Sequence, residues 1–357
     1  MTSPVTPRPR RHPSPTARAV ELAYLTFQRP DLQLAERFLL DFGLRTVEKS
    51  ADTLYMRHTG SSPFCCQIMR GAAAKFLGLA FTVAARADLH ALTLVSGASD
   101  VEPLPGPSGG ERVRLTDPSG FVVEAVCGRA EAESLYRRRP LPLNSPDSSA
   151  RVNAPQRPPL VPPAVTKLGH VAIEVSRFRD TCAWYSRHFG LIPSDVQLLP
   201  DGSPAVAFLR LDLGETPADH HTLAIVQGYK GVFGHCAYEV VDADAVAMGQ
   251  RFLREYGWRH AWGMGRHILG SQVFDYWDDP WGEKHEHYSD GDLFTSDAPM
   301  GVHDVSREAM AQWGPPMPRS FTRPELSGAN VRALLRSLRE SPDLTMTKLL
   351  QLLIAFG

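Results

Sequence analysis

Two seven-residue stretches in the second half of the chain alternate polar and apolar positions in the same way. In Gly169-His170-Val171-Ala172-Ile173-Glu174-Val175, His170, Ala172 and Glu174 fall on one face and Val171, Ile173 and Val175 on the other, the period of a strand with one side on a core. Gly234-His235-Cys236-Ala237-Tyr238-Glu239-Val240 repeats the pattern 65 residues later and agrees with the first stretch at five of seven positions. A strand at Leu168 to Val175 is followed by a helix over residues 178 to 189, with Phe178, Cys182, Tyr185 and Phe189 on one stripe and Gly190 as its stop. Upstream, Leu22 to Phe27 reads as a short apolar strand. Asp31 to Phe42 reads as a helix with Leu34, Phe38 and Leu39 on a stripe, closed by Gly43.

The halves share further landmarks. Phe42-Gly43-Leu44 answers Phe189-Gly190-Leu191, and Asp117-Pro118-Ser119-Gly120 with Glu124 answers Asp279-Pro280-Trp281-Gly282 with Glu286. Internal periodicity of this kind describes a whole architecture. It predicts an α+β fold of four βαβββ units, paired into two tandem open barrels, plus a C-terminal helical extension. The expected layout is a disordered proline- and arginine-rich tail (residues 1–18), an N-terminal barrel (19–138), a linker dense in proline (139–165), a C-terminal barrel with both histidine strands (166–298) and an extension with two helices (299–357). In the last helix Met346, Leu349, Leu350 and Leu353 follow helical spacing, a stripe for docking on the barrels or on another subunit.

Composition narrows the class. The chain has 357 residues, 43% hydrophobic and 22% charged, with a net charge of −1, which suits a globular enzyme and opposes a nucleic-acid or anionic-membrane partner. No apolar stretch reaches membrane-spanning length. Cys65, Cys66, Cys127, Cys182 and Cys236 are scattered without zinc or disulfide spacing, so a reducing, cytoplasmic compartment is expected.

Two histidines in register on repeated strands are either satisfied core residues or a pair aimed at one metal ion, imidazole being the commonest side-chain metal ligand. A third ligand is expected from the last strand of the barrel, where Glu286 follows an Asp-Pro-x-Gly turn between His285 and His287. Alternation turns those two histidines away from the face of Glu286.

From Gly265 through His267, Tyr276, Pro280 and Gly282 to Glu286, the chain resembles the extradiol ring-cleavage dioxygenases of the vicinal oxygen chelate superfamily, which open catechols beside the two hydroxyls. The resemblance covers both halves in layout, and its specific motifs lie in residues 168 to 292. It implies that His170, His235 and Glu286 hold non-haem iron(II), with manganese(II) as a substitute. Dioxygen would be co-substrate and a catechol the small-molecule substrate, in an enzyme that is a homo-oligomer. Two neutral imidazoles and a carboxylate leave open positions for both.

The resemblance also makes His221 the acid/base, and His267 and Tyr276 the partners of the catechol oxygens. His221 lies 65 residues before Glu286, which predicts a place on the strand equivalent to that of Glu286. Its neighbour His220 reads equally as a loop histidine. Trp262, Trp277 and Trp281 read as pocket lining or as core. In the first half, Tyr24 and approximately Gly78 stand where His170 and His235 have counterparts, and Glu124 survives alone, a solvated or hydrogen-bonded remnant. Two other classes stay open: a metal-dependent isomerase or lyase of the glyoxalase type, with His221 as a fourth ligand, and a non-enzymatic protein that binds an aromatic compound.

Overall fold

The computed structural model describes residues 8–322 and 327–356. In the first half, β1 (Ala19–Arg29), α1 (Leu32–Asp41), β2 (Arg45–Lys49), β3 (Thr53–Arg57) and β4 (Cys66–Arg70) make one unit. The next comprises β5 (Lys75–Val83), α2 (Arg86–Thr93), β6 (Glu102–Pro103), β7 (Glu111–Thr116) and β8 (Val122–Cys127). They share one sheet, ordered β2-β3-β4-β1-β5-β8-β7-β6, whose end strands do not pair.

The second half repeats this with β9 (Val165–Val175), α3 (Phe178–Phe189), β10 (Ile192–Leu198), β11 (Pro204–Arg210), β12 (Ala218–Asp219) and β13 (Leu223–Gln227). Its partner unit is β14 (Val232–Val240), α4 (Ala243–Glu255), β15 (Arg259–Arg266), β16 (Val273–Asp278) and β17 (Lys284–Ser289). The sheet order is β15-β16-β17-β14-β9-β13-β11-β10-β19, where β19 (Gly301–Asp304) comes from the extension and β9 and β14 lie at the seam. A short β18 (Leu293–Phe294) pairs with β12. The two sheets together realise the four expected units.

Local signals set these elements. Asp31 caps α1 by accepting from the backbone N–H of Gln33 and Leu34, and the helix buries Leu32, Ala35, Phe38 and Leu39. α3 ends at Gly190, whose φ of +71° is left-handed. On β9, Val171, Ile173 and Val175 are fully buried in the core, as their alternation requires.

Two parts of the chain differ from the sequence expectation. Residues 8–18, the end of the expected disordered tail, lie against the second half: Arg11 and Arg18 both pair with Asp212, and the Thr16 N–H donates to the Arg187 carbonyl. Proline and arginine content registered only that the segment forms no helix or strand; a distant carboxylate fixes it. Residues 1–7 lie outside the described residues. The extension carries, besides α6 (Gly328–Glu340) and α7 (Met346–Phe356), a strand β19 (Gly301–Asp304) added to the sheet edge and a four-residue α5 (Arg319–Thr322). On α7, Leu349 packs inward, while Met346, Leu350 and Leu353 are exposed.

The halves exchange contacts through their helices. Phe38 and Phe42, from α1 and its end, pack on His285 of the second half, and Phe42 stacks on His287 at 3.7 Å. Tyr185 of α3 packs on Phe81 and donates to Asp117 of the first half. Arg29 is buried between them, 2.9 Å from Asp279 and paired with Glu283. Burial raises both carboxyls above their ordinary range, and Arg29 opposes that rise.

Arg29→Met should therefore destabilise the protein by about 3–5 kcal/mol, because it leaves two buried carboxylates without their cation. A carboxyl with a raised folded pKa stabilises the fold when protonated and costs stability as pH rises through that value. Without Arg29 the rise is larger, so the deficit in urea melts is greatest at neutral pH and shrinks as pH falls into the carboxyl range. A deficit independent of pH would mean that lost packing dominates.

Candidate functional site

Three neighbouring strands build one cluster. His170 on β9 stands opposite Ala237 of β14, and Ala237 stands opposite Glu286 of β17, so all three share a face of the sheet. His235 lies two residues before Ala237 on that same face. One donor atom from each of His170, His235 and Glu286 lies within 4.8 Å of the others. The two imidazole Nε2 atoms are 3.2 Å apart, and the Glu286 Oε2 is 3.2 Å from His170 Nε2 and 3.5 Å from His235 Nε2.

The donor set fits a metal ion. Two ligands about 2.1 Å from a shared ion and near a right angle stand about 3 Å apart. Both carboxylate oxygens of Glu286 are buried without a hydrogen-bond donor, a costly arrangement that a cation would relieve. Burial lowers His235 to about 3, so this imidazole is neutral and offers a lone pair. Burial alone would raise the Glu286 carboxyl, but the imidazoles facing it hold it well below the ordinary range, in the ionised form.

Two groups flank the cluster. The His221 ring lies over His170 with centroids 4.0 Å apart, outside the three-donor group. Burial pushes its pKa well down. On the other flank, His267 Nε2 is 3.0 Å from the Tyr276 hydroxyl and 3.6 Å from Glu286 Oε1. His267 Nδ1 donates to the Met310 carbonyl at 2.7 Å, which leaves Nε2 as acceptor for the Tyr276 O–H. Burial, and then the Glu286 charge, raise the Tyr276 phenol well above its usual value, so it stays protonated.

Strand register corrects one step of the sequence reasoning. Ala224 pairs in parallel with Ala172 on β9 as Glu286 pairs with Ala237 on β14. The equivalent of Glu286 in the preceding unit is therefore Ala224, and His221 sits three residues earlier, before β13 begins. The constant 65-residue step missed this because the strand shift leaves both local patterns intact. At the fourth position of the cup the chain thus offers a methyl group and no ligand.

Other residues fall as follows. His285 and His287 turn from the cup into the contact with the first half, both held neutral by burial with pKa values lowered to about 3. His220 is buried and hydrogen-bonded to Asp195, not a loop histidine at the surface. Trp262 stacks behind Tyr276, Trp277 donates to Asp275 and Trp281 covers Arg29, so all three support the structure from outside the cup. In the first half, Ala80 pairs with both Tyr24 and Glu124, which makes Tyr24 and Gly78 the equivalents of His170 and His235. Tyr24 donates to Glu124, and Arg112 neutralises it at 3.0 Å.

The cup, about 440 Å³ including its mouth, is also lined by Gln197, Phe208, Leu269, Gln272 and Met310, none of which the sequence reading identified. Gln197 had a signal: it shares one face of the fully buried strand β10 with Asp195, and polar residues in such a strand need partners. Its Oε1 has none among the described residues. Met310 had no signal, because only the path of the extension brings it there.

No protein-family model matches the chain. Metapyrocatechase 2 of Cupriavidus necator is 30% identical over 298 residues, covering 82% of this chain and 88% of its own. The solved homoprotocatechuate 2,3-dioxygenase from Arthrobacter globiformis matches with a TM-score of 0.71 and 21% identity, over 91% of this chain and 96% of that one. The Mn(II)-bound glyoxalase from Novosphingobium aromaticivorans matches with 0.72 and 23%, over 87% and 97%. At such identities the two structures speak for the fold alone. The curated relative, alike over four fifths of the sequence, decides the family: the chain belongs to the extradiol ring-cleavage dioxygenases of the vicinal oxygen chelate superfamily.

Proposed function

We propose that the protein is an iron(II)-dependent extradiol dioxygenase that inserts both atoms of dioxygen into a substituted catechol, cleaving the ring beside the diol, in the catabolism of aromatic compounds. The observation that carries this reading is the convergence of two imidazoles and one carboxylate on one point, with Ala224 where a fourth ligand would stand. His170, His235 and Glu286 would hold the metal. Manganese(II) suits the same donors.

When bound there, the metal supplies positive charge that acidifies the catechol hydroxyls and a route for electrons to dioxygen. The remaining work falls to side chains. Tyr276 donates its O–H to His267 and presents its oxygen to the first catechol hydroxyl, and the His267 Nε2 lone pair accepts the proton that leaves. His221, neutral on the opposite flank, accepts or returns a proton at the oxygen side of the ring. Phe208, Leu269 and Met310 keep water from the reacting atoms and pack against the ring and its substituent.

A glyoxalase-type isomerase or lyase normally prefers a fourth protein ligand, and the methyl group of Ala224 does not provide one. A binding protein that only sequesters an aromatic compound has no use for three proton-handling groups. No described helix is long and apolar enough to cross a membrane, consistent with a cytoplasmic enzyme. The exposed Met346, Leu350 and Leu353 offer a surface for self-association.

The test is anaerobic reconstitution with iron(II), then mixing with a panel of catechols in air. A yellow ring-opened product, with one dioxygen consumed per catechol, is expected. Product formed without oxygen uptake would replace the dioxygenase by an isomerase or lyase.

A further inference from the structure

Behind His221, three side chains run in file to the surface. His220 Nδ1 is 2.9 Å from His221 Nδ1, and His220 Nε2 is 2.6 Å from Asp195 Oδ2. The other carboxylate oxygen, Oδ1, is 2.8 Å from His303 Nε2, on a side chain that is 42% exposed. Burial would raise the Asp195 carboxyl, but its hydrogen bonds to His220 and His303 outweigh that and hold it ionised.

Hydrogen-bond chemistry fixes the protons along this file. An ionised carboxylate only accepts, so His220 Nε2 carries a hydrogen. Neutral His220 then has its lone pair at Nδ1. Two nitrogens at 2.9 Å need one proton between them, so His221 Nδ1 donates, which leaves the lone pair of His221 at Nε2, the ring nitrogen free for the cup.

The file is built into the fold. β19 pairs with β10 in parallel and sets Gly301 opposite Asp195. A Cβ at position 301 would collide with the Asp195 carboxylate and the His303 ring. Gly270 lies against the His220 ring, where an added Cβ would stand 3.0 Å from Nδ1. Phe208 and Phe294 flank the same ring.

We propose that His220, Asp195 and His303 are positioning residues that fix which nitrogen of His221 carries its proton and hold, during turnover, the proton that His221 passes on. A proton arriving from substrate at His221 Nε2 releases the Nδ1 proton to His220 Nδ1. The resulting charge on His220 is held by Asp195, and His221 stays neutral. The reverse movement returns the proton. His303, which donates its Nε2–H to the other oxygen, holds the Asp195 carboxylate in place for that charge. This inference rests on the dioxygenase reading only in assigning His221 to the substrate.

Two measurements test it. In the full-length zinc-loaded protein, which is diamagnetic, two-bond nitrogen–proton NMR spectra of ¹⁵N-histidine should show His221 protonated at Nδ1 and His220 at Nε2. The opposite tautomer of His221 would overturn the proposal. In the iron-loaded enzyme, Asp195→Leu and Gly301→Ala should each lower kcat at least about tenfold, with iron content and catechol KM within about twofold. His303→Ala should lose turnover that added imidazole restores. Unchanged kcat in Asp195→Leu, or a loss confined to KM or to metal content, would overturn the proposal. If His221→Ala itself kept full turnover, the wider reading would fail instead.

Discussion

His221→Ala is expected to bind iron as the native protein does and to lose about 10²–10⁴-fold in kcat, the usual contribution of a positioned acid/base. The ring lies over His170 but stands outside the three donors that converge, so its removal takes away a proton carrier and no ligand. Catechol affinity should change little, since the hydroxyls face Tyr276 and His267 on the other flank. Iron content and single-turnover absorbance separate the roles. Loss of iron in this variant would make His221 a ligand and would favour the isomerase reading.

The second large effect is the loss of metal-dependent stabilisation when Glu286 is removed. Glu286 is completely buried, and neither carboxylate oxygen has a donor among the described residues. Glu286→Leu removes this carboxylate without enlarging the side chain. Adding iron(II) should then raise the melting temperature of the native protein alone, because binding stabilises only where a site exists. Turnover of the variant should fall to background. Outer partners of metal ligands already contribute 10–100-fold in affinity, and a direct ligand contributes more. A variant that kept metal-dependent stabilisation would show that the carboxylate is not a ligand.

Glu286 was legible from the repeated Asp-Pro-x-Gly turn that precedes it and from the resemblance it completes. It is a carboxylate inside a strand whose positions from 285 to 289 are all buried, and such breaks of the local pattern gather at functional sites. Arg29, Asp279 and Glu283 break it as well, yet they join the halves. The break alone does not tell a site from an interface.

Alternation and repetition were legible from the sequence. Alternation put His170 and His235 on the faces where they are found and sent His285 and His287 to the other side, because a strand allows a side chain only two directions. Repetition implied two copies of one unit that face each other with their histidines together, and the structure achieves this by pairing β9 with β14 at the seam. Together these predicted the four-unit fold, while the resemblance to the family named Glu286 as the partner of the two histidines.

The tertiary structure alone decided what depends on register and on distant chain. Parallel pairing of β13 with β9 gave the fourth position to Ala224 and set His221 beside it, a shift of three residues that no local pattern records. The extension returned Met310 to His267 and, through β19, His303 to Asp195. Asp212 drew in the arginines of the N-terminal segment. In each case the partners lie far apart along the chain. Hydrophobic period fixes which way a residue faces, whereas the contact it makes depends on how separate elements pack and on the loop lengths that let them slide.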